Sequence, residues 1–225
     1  MNKMLKSLLA YTLLASASFS STPVPTRRFQ VEERVVALTF DDGPHPVATE
    51  KILSLLESHN AHATFFVIGQ NAVHYPDVLR IIADKGHEIA NHTYSHGALF
   101  RESMDEIKDE IEKTEDIILS ICQKKTTLFR PPEGCISGNI LSAAGDLGYD
   151  VILWSIDTND WAHTSKEEMI NNVKKNVKPG SIILFHDYIS GEAHTIEALE
   201  EILSYLSGLG YSFKTISEIK NQKQP

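Results

Sequence analysis

The sequence predicts an α/β fold built on a mainly parallel β-sheet. Short apolar runs rich in β-branched residues alternate along the chain with longer segments of helical apolar spacing. The runs are apolar throughout, as is typical of strands that are buried on both faces of a sheet. The 225 residues contain no fixed-period repeat and no second linker, so we expect a single domain.

The predicted elements follow the apolar pattern in chain order. The first strand covers 34–40 and ends at Asp-Asp-Gly-Pro, and the helix of 46–58 follows with its apolar residues on one stripe. Further strands are predicted at 62–68, 87–90, 127–130, 151–156 and 181–185, and an apolar segment at 211–216 closes the series. Further helices are predicted at 73–84, 102–121, 137–147, 166–176 and 194–208. About six or seven strands fit an open sheet or a closed barrel, and in both the active residues gather at the carboxyl ends of the strands.

Composition and charge exclude several classes of protein. With 42% hydrophobic and 23% charged residues, the chain is not collagen-like, fully disordered or a multi-span membrane protein. Its formal charge is −9 and no run of five or more basic residues occurs, so nucleic acid is not an expected partner. Two cysteines are too few for a four-cysteine zinc site. Cys122 and Cys135 either form a disulfide or remain free thiols, and the sequence is compatible with both. Ten histidines point to metal or acid–base chemistry.

The amino terminus has the pattern of a secretory signal. Lys3 and Lys6 precede an apolar run over 8–15, which is followed by the small-residue cleavage pattern Ala15-Ser-Ala17. We predict a signal peptide over 1–17, a linker over 18–30 and the folded domain over 31–225. The alternative is an uncleaved anchor, although the apolar run is too short for a stable membrane span. Export would place the protein in the periplasm or outside the cell.

Two adjacent carboxylates follow the first predicted strand. Side chains alternate along a strand, but Gly43-Pro44 bends the chain here, so that Asp41 and Asp42 are able to reach one cavity. Two neighbouring carboxylates with different partners can take different chemical roles. The alternative is an Asx turn or a helix cap, which aspartate also serves well.

A pair of histidines at spacing i, i+4 is the strongest metal signal. The stretch His92-Thr-Tyr-Ser-His96 has the spacing used for zinc chelation on one turn of chain, and Gly97 predicts a loop rather than a long helix. Asp42 is a candidate third ligand, which would leave an open position for water. The alternative is a surface pair of histidines.

Polar residues also follow the later predicted strands. Arg130-Pro-Pro-Glu-Gly134 fits a guanidinium aimed inward at a carboxylate, or simply a surface loop. Asp157 and Asp160 stand among tryptophans, which suits a sugar cleft or a core. His186 ends the strand of 181–185 and is either functional or structural.

Taken in order, these motifs resemble those of the polysaccharide deacetylases. This family shares the nodulation-type chitooligosaccharide deacetylase homology domain and forms carbohydrate esterase family four. The resemblance covers about 34–216 and is carried by Thr39-Phe-Asp-Asp-Gly-Pro44, His92-Thr-Tyr-Ser-His96, Arg130-Pro-Pro-Glu-Gly134, Asp157-Thr-Asn-Asp-Trp161 and Leu184-Phe-His186. It implies a distorted (β/α) barrel with about seven parallel strands and metal-dependent removal of acetyl groups from a glycan.

The resemblance also implies a role for each motif residue. Asp41 would be the general base, oriented by Arg130, and His186 the general acid, tuned by Asp160. The implied metal ligands are Asp42, His92 and His96. Residues expected to contact substrate are Trp161, Leu184, Pro132 and Glu133. Family members often have an aromatic residue at the position of Glu133, and this difference bears on which substrate is bound and not on the metal site. Asp157 and His45 are candidates for structural or supporting roles.

Zinc is the expected cofactor, with cobalt, nickel or manganese as substitutes. Peptidoglycan is the leading expected substrate, followed by chitin oligomers and then by acetylated xylan or an exopolysaccharide. Two other functions fit the residues: a zinc amidohydrolase acting on small acetamides, and a glycan-binding module whose catalytic site has decayed.

Overall fold

The computed structural model describes residues 22–190 and 193–222. Its strands are β1 (Val35–Asp41), β2 (Ala63–Val67), β3 (Glu88–Asn91), β4 (Leu128–Phe129), β5 (Asp150–Val151), β6 (Ile156–Asp157), β7 (Ile182–His186) and β8 (Ser212–Phe213). Seven of these strands form a continuous parallel sheet in the order β5-β4-β3-β2-β1-β7-β6, and β8 pairs with the start of β1. The predicted parallel α/β fold is confirmed.

The sheet curls into a half-barrel because its two edges are close together in the chain. β5 and β6 are the edge strands, and only residues 152–155 separate them. The chain from Val151 to Ile156 spans at most about 18 Å when extended, whereas a flat sheet of seven strands would be about 29 Å wide. The edges must therefore curl toward one another, which agrees with a distorted (β/α) barrel.

Helices cover the outside of the sheet. They are α1 (Ala48–Ser58), α2 (Gly69–His74), α3 (Pro76–Asp84), α4 (Met104–Cys122), α5 (Gly138–Asp146), α6 (Lys166–Asn176), α7 (Thr195–Gly208) and α8 (Ile216–Lys220). The predicted single helix over 73–84 is wrong, because Pro76 cannot continue a helix and instead begins α3 at its first turn. The predicted continuous strand over 151–156 is also wrong, because the chain leaves β5 there to cross to the opposite sheet edge.

β1 divides the core into an outer and an inner layer. All seven of its residues are buried, and their side chains alternate between the two layers. Val36, Leu38 and Phe40 pack with the helices, whereas Val35 and Ala37 pack inside the barrel. The inner positions that follow are Thr39 and Asp41, so the barrel interior changes from apolar to polar toward the carboxyl end of the strand.

The segment before β1 contacts the barrel where its edges meet. Thr26 forms a parallel bridge with Ile152, Arg28 forms an antiparallel bridge with Ser181, and Phe29 is buried. The predicted signal peptide lies outside the described residues, and the domain bounds stay predictions. Cys122 and Cys135 are free thiols. Within the described ranges, no helix combines the length and apolar character that crossing a bilayer requires.

Candidate active site

The polar residues predicted at strand ends meet at the carboxyl edge of the sheet. Asp41, Asp157 and His186 are the last residues of β1, β6 and β7. His92 and Arg130 each come directly after a strand, β3 and β4 respectively. The candidate residues therefore gather at the carboxyl ends of the strands, where the sequence predicted them.

Asp42, His92 and His96 form a candidate metal site. One ligand atom from each lies within 4.8 Å of the others. Asp42 Oδ1 is 3.5 Å from His92 Nε2 and 3.3 Å from His96 Nε2. The same oxygen is buried without a hydrogen-bond partner, so it needs a cation or a proton to satisfy it. Two imidazole nitrogens and a carboxylate oxygen are a donor set that fits zinc or a similar divalent cation.

Local backbone geometry turns these three side chains toward one another. The predicted loop between the histidines is confirmed, and Asp42, Thr93 and His96 all have positive φ angles. Asn71 Nδ2 donates a hydrogen bond of 2.7 Å to the carbonyl of Asp42 and fixes its turn. Within the described residues, six of the eight non-glycine residues with positive φ lie in the five motif loops or directly after them, and backbone strain of this kind clusters at functional sites. They are Asp42, Thr93, His96, Glu133, Asn159 and His163.

The pKa values of the two histidines are shifted in opposite directions. Burial opposes a charge on His92, but the carboxylates of Asp41 and Asp42 outweigh it and raise the pKa of His92. Burial and the neighbouring His92 lower the pKa of His96. His92 Nδ1 lies 2.7 Å from the carbonyl of Arg130, which fixes Nδ1 as the donor and turns Nε2 toward the triad. A metal ion must displace any proton from Nε2 before this nitrogen can act as a ligand.

Asp41 stands beside the triad and is held by a fully buried arginine. Arg130 Nη1 donates hydrogen bonds to Asp41 Oδ1 at 2.6 Å and to Thr39 Oγ1 at 2.9 Å. The remaining guanidinium nitrogens donate to the carbonyls of Ile152 and Leu153, each at 3.2 Å. Burial lowers the pKa of Arg130 and the charge of Asp41 opposes this effect. Asp41 Oδ2 stays 3.7 Å from His92 Nε2 and faces the candidate metal site.

His186 is held by a second buried carboxylate. Its Nδ1 lies 2.8 Å from Asp160 Oδ1, and its backbone N–H donates to Asp160 Oδ2 at 2.8 Å. Thr195 Oγ1 donates to the same Oδ2 at 3.0 Å. Burial opposes a charge on His186, but the hydrogen bond to Asp160 and its charge raise the pKa of His186 to about 9.

A cavity of about 490 Å³ opens onto the triad, Asp41 and His186. Its walls are formed by Asp41, Asp42, His92, His96, Glu133, Trp154, Asp157, Trp161, Leu184 and His186. Trp161 is 55% exposed at the rim. Pro132 is buried and does not line this cavity, so its predicted contact with substrate stays a prediction.

Sequence reasoning missed two side chains that support the site: Thr39 bonds to Arg130, and Thr195 bonds to Asp160. Trp154, one of the two tryptophans considered for a sugar cleft, lines the cavity with its ring 5.5 Å from the Arg130 guanidinium. Thr39 stands in the first motif, and period-two alternation places it on the same face as Asp41, which was a usable signal. Thr195 had none, because it approaches Asp160 from 35 residues away in the chain.

The sequence matches the model of the family described as polysaccharide deacetylase over residues 29–152. The chain belongs to the polysaccharide deacetylase family. A peptidoglycan-N-acetylglucosamine deacetylase from Bacillus cereus is 42% identical over 182 residues, which cover 80% of this chain and 66% of the relative. A peptidoglycan-N-acetylmuramic acid deacetylase, PdaC from Bacillus subtilis, is 38% identical over 85% of this chain and 40% of its own. The chain therefore spans less than two thirds of these two relatives.

Solved structures of the family share this fold. The Bc1960 peptidoglycan N-acetylglucosamine deacetylase superposes with a TM-score of 0.83 at 38% identity, covering 88% of this chain and 94% of that one. BA3943 from Bacillus anthracis, described as a CE4 family pseudoenzyme, has the same TM-score at 29% identity, covering 91% of this chain and 72% of that one. Members of the polysaccharide deacetylase family therefore include deacetylases, which hydrolyse amide bonds, and at least one pseudoenzyme.

Proposed function

We propose that this polysaccharide deacetylase is an exported, metal-dependent enzyme that removes N-acetyl groups from peptidoglycan. The observation that carries the proposal is the convergence of Asp42, His92 and His96, with Asp41 and His186 beside them in one cavity. The names of the relatives support N-acetylated glycan as the substrate class.

The triad would hold a divalent cation, with zinc as the first candidate and cobalt, nickel or manganese as substitutes. When bound, such a cation polarises the acetyl carbonyl and lowers the pKa of a water molecule beside it. The orphaned Oδ1 of Asp42 and the oriented Nε2 of His92 support this assignment.

Asp41 would act as the general base. Its Oδ1 is occupied by Arg130 at 2.6 Å, so the free Oδ2 is the atom that takes a proton from the attacking water. Arg130 compensates the charge of the carboxylate and keeps it from turning toward the metal ligands.

His186 would act as the general acid. An amide nitrogen leaves poorly as an anion, so it must receive a proton as the carbon–nitrogen bond breaks. A pKa of about 9 keeps His186 protonated at neutral pH, and the bond from Nδ1 to Asp160 leaves Nε2 to deliver the proton.

The cavity walls would position the acetylated sugar. Trp161 and Leu184 offer apolar surface for the acetyl methyl group, and a backbone N–H near Glu133 would stabilise the oxyanion. Pro132 would shape this wall by fixing the backbone before Glu133, because it is buried and directly precedes that residue. Export through the predicted 1–17 signal would bring the enzyme to its polymer.

A glycan-binding module with a decayed site is the second candidate, because the BA3943 pseudoenzyme shares this fold. The intact set of ligands, base and acid in this chain argues against decay. A small-acetamide hydrolase would not need the tryptophan-lined cleft.

Metal analysis combined with acetate release tests the proposal. We expect the purified protein to retain about one zinc per chain and to release acetate from peptidoglycan oligosaccharides, with chitin oligomers as the runner-up. Asp41→Asn should keep the metal and lose activity, whereas Asp42→Ala should lose both. Glycan binding without acetate release under any divalent metal would overturn the enzyme assignment in favour of the binding module.

A further inference from the structure

A smaller cavity of about 190 Å³ adjoins the active site. His186 lines both cavities, so the smaller one lies directly beside the candidate acid. The walls of this side cavity are His45, Val47, Ala48, Lys51, Ile52, His186, Asp187, Ile189, Ala193, Thr195 and Ile196. None of the roles derived above uses His45, Lys51 or the exposed Val47 in this wall.

Two tyrosine rings pack against His45, which lines the side cavity. The ring of Tyr188 stacks on the ring of His45, with centroids 5.1 Å apart and planes at 28°. Tyr75 meets His45 edge-on at 6.1 Å. Tyr188 is nevertheless 46% exposed, so a large apolar ring face stays available to a ligand. An exposed aromatic face with a polar edge suits the apolar C–H face of a sugar ring.

The charged groups on the two sides of His186 differ, because only the side cavity has a lysine in its wall. Lys51 lines the side cavity and is exposed, and within the described part of the chain its ammonium group has no ion-pair or hydrogen-bond partner. The main cavity carries the carboxylates of Glu133 and Asp157 on its walls. Asp187, at the side cavity, is buried and packs against Gly43 and Thr49. An anionic group on the ligand would therefore be attracted to the Lys51 side and repelled from the Glu133 side.

We propose that the side cavity is a subsite for a carboxylate-bearing sugar next to the one that is deacetylated. The sugar ring packs on Tyr188 and His45, and the carboxylate pairs with Lys51. In a peptidoglycan strand this unit is an N-acetylmuramic acid without a stem peptide, because attachment of the peptide converts its carboxylate into an amide. The inference rests on the proposed function and extends it, since it gives the site a preference for peptide-free peptidoglycan strands over neutral chitin.

Matched oligosaccharides separate the contributions of charge and stacking. The probes are a tetrasaccharide of alternating N-acetylglucosamine and N-acetylmuramic acid, the same compound with its carboxylates converted to methyl amides, and chitotetraose. A fourth probe that carries stem peptides tells a carboxylate on the sugar from one on the peptide. Lys51→Gln should lower kcat/KM about three- to fivefold on the carboxylate probe through KM, the range expected for one exposed ion pair.

Tyr188→Ala should raise KM for every probe about threefold to tenfold, because stacking does not depend on the charge of the ligand. Lys175→Gln removes an exposed lysine on α6, far along the chain from the cavity, and is the matched control that should change nothing. A Lys51→Gln effect that is equal on all probes, or absent, would overturn the subsite.

Binding by titration calorimetry decides the subsite independently of turnover. Wild-type protein should bind the carboxylate probe more tightly than its methyl amide, and Lys51→Gln should abolish the difference. If acetate is released from no glycan, the proposed function fails while this binding difference still stands. Equal binding of the two probes by the wild type would contradict the subsite proposal, even if the enzyme releases acetate rapidly.

Discussion

Asp41 and His186 are direct partners in the register of the parallel strands β1 and β7. One strand pair therefore sets the spacing between the candidate base and the candidate acid. Each of the two has its own buried partner, Arg130 for Asp41 and Asp160 for His186. Each partner carries the charge that compensates its residue: a guanidinium stands beside the carboxylate of Asp41, and a carboxylate stands beside the imidazole of His186.

Asp160→Asn should shift the alkaline limb of the pH profile to lower pH. The pKa of His186 lies near 9 because Asp160 favours its protonated form, so an acid in this role is active below that pH and lost above it. Without the carboxylate charge, the pKa falls and activity at pH 8 drops more than activity at pH 6. The measurement is kcat/KM for acetate release between pH 5 and pH 10.

Thr195→Val is the control for that experiment, because it removes one hydrogen bond to Asp160 and leaves the charge in place. Its alkaline limb should move much less than that of Asp160→Asn. An unchanged limb in Asp160→Asn would rule out His186 as the group that loses its proton there.

Metal binding should release protons and weaken in acid. The carboxylates of Asp41 and Asp42 raise the pKa of His92, so a proton on this ring competes with the cation for Nε2. Apparent zinc affinity should therefore fall as the pH decreases, and calorimetry in buffers of different ionisation enthalpy should detect the released protons. His74→Asn alters an exposed histidine and is the control; an affinity that is independent of pH would contradict the role of His92 as a ligand.

The sequence predicted the candidate site residues best where reactive side chains directly follow a predicted strand. Asp41, Asp42 and His186 could be placed because each follows a strand of plain apolar character, and parallel strands end on the same side of a sheet. The spacing of the apolar residues could not distinguish an open parallel sheet from a curled one. The curl depends on the short passage from Val151 to Ile156 between the two sheet edges, and strand order is a non-local property.

Supporting contacts were harder to predict than the motif residues. Thr195, at the start of α7, donates a hydrogen bond to Asp160, and the side chain of Asp187 packs against Gly43. Such contacts join residues far apart in sequence, and no local pattern records them. The split of the predicted 73–84 helix has a local cause, because Pro76 fits the first turn of a helix and not its interior.

Gly43→Ala should damage the turn that carries Asp41 and Asp42. A methyl group at this position would lie 2.1 Å from Asp187 Oδ2, so the turn or the buried carboxylate must move. We expect a loss of about 1–3 kcal/mol in unfolding free energy from overpacking and about a hundredfold loss of kcat/KM from misplaced catalytic groups. Denaturant titration and acetate release measure the two effects.

Gly138→Ala is the matched control for Gly43→Ala, because a methyl group at Gly138 has no heavy atom within 4 Å. It should leave stability and activity near the wild-type values. In the double variant Gly43→Ala/Asp187→Ala the clash is removed, so the two losses should combine to less than their sum. Strictly additive losses would show that the carboxylate of Asp187 is not what excludes a side chain at Gly43.

His87→Asn should make the fold less sensitive to acid. Burial first, and then the charges of His62 and Lys85, lower the pKa of His87 to about 4. Between the ordinary value of 6.5 and about 4, the unfolded chain binds a proton that the folded chain excludes, so stability is full above pH 6.5 and falls below it, by at most about 3 kcal/mol. Asparagine can still accept the Ala63 N–H bond but cannot take up the proton. Denaturant titrations at pH 7 and pH 4.5 should show a smaller acid loss in His87→Asn than in the wild type or in the exposed control His74→Asn; equal losses in all three would refute the assignment.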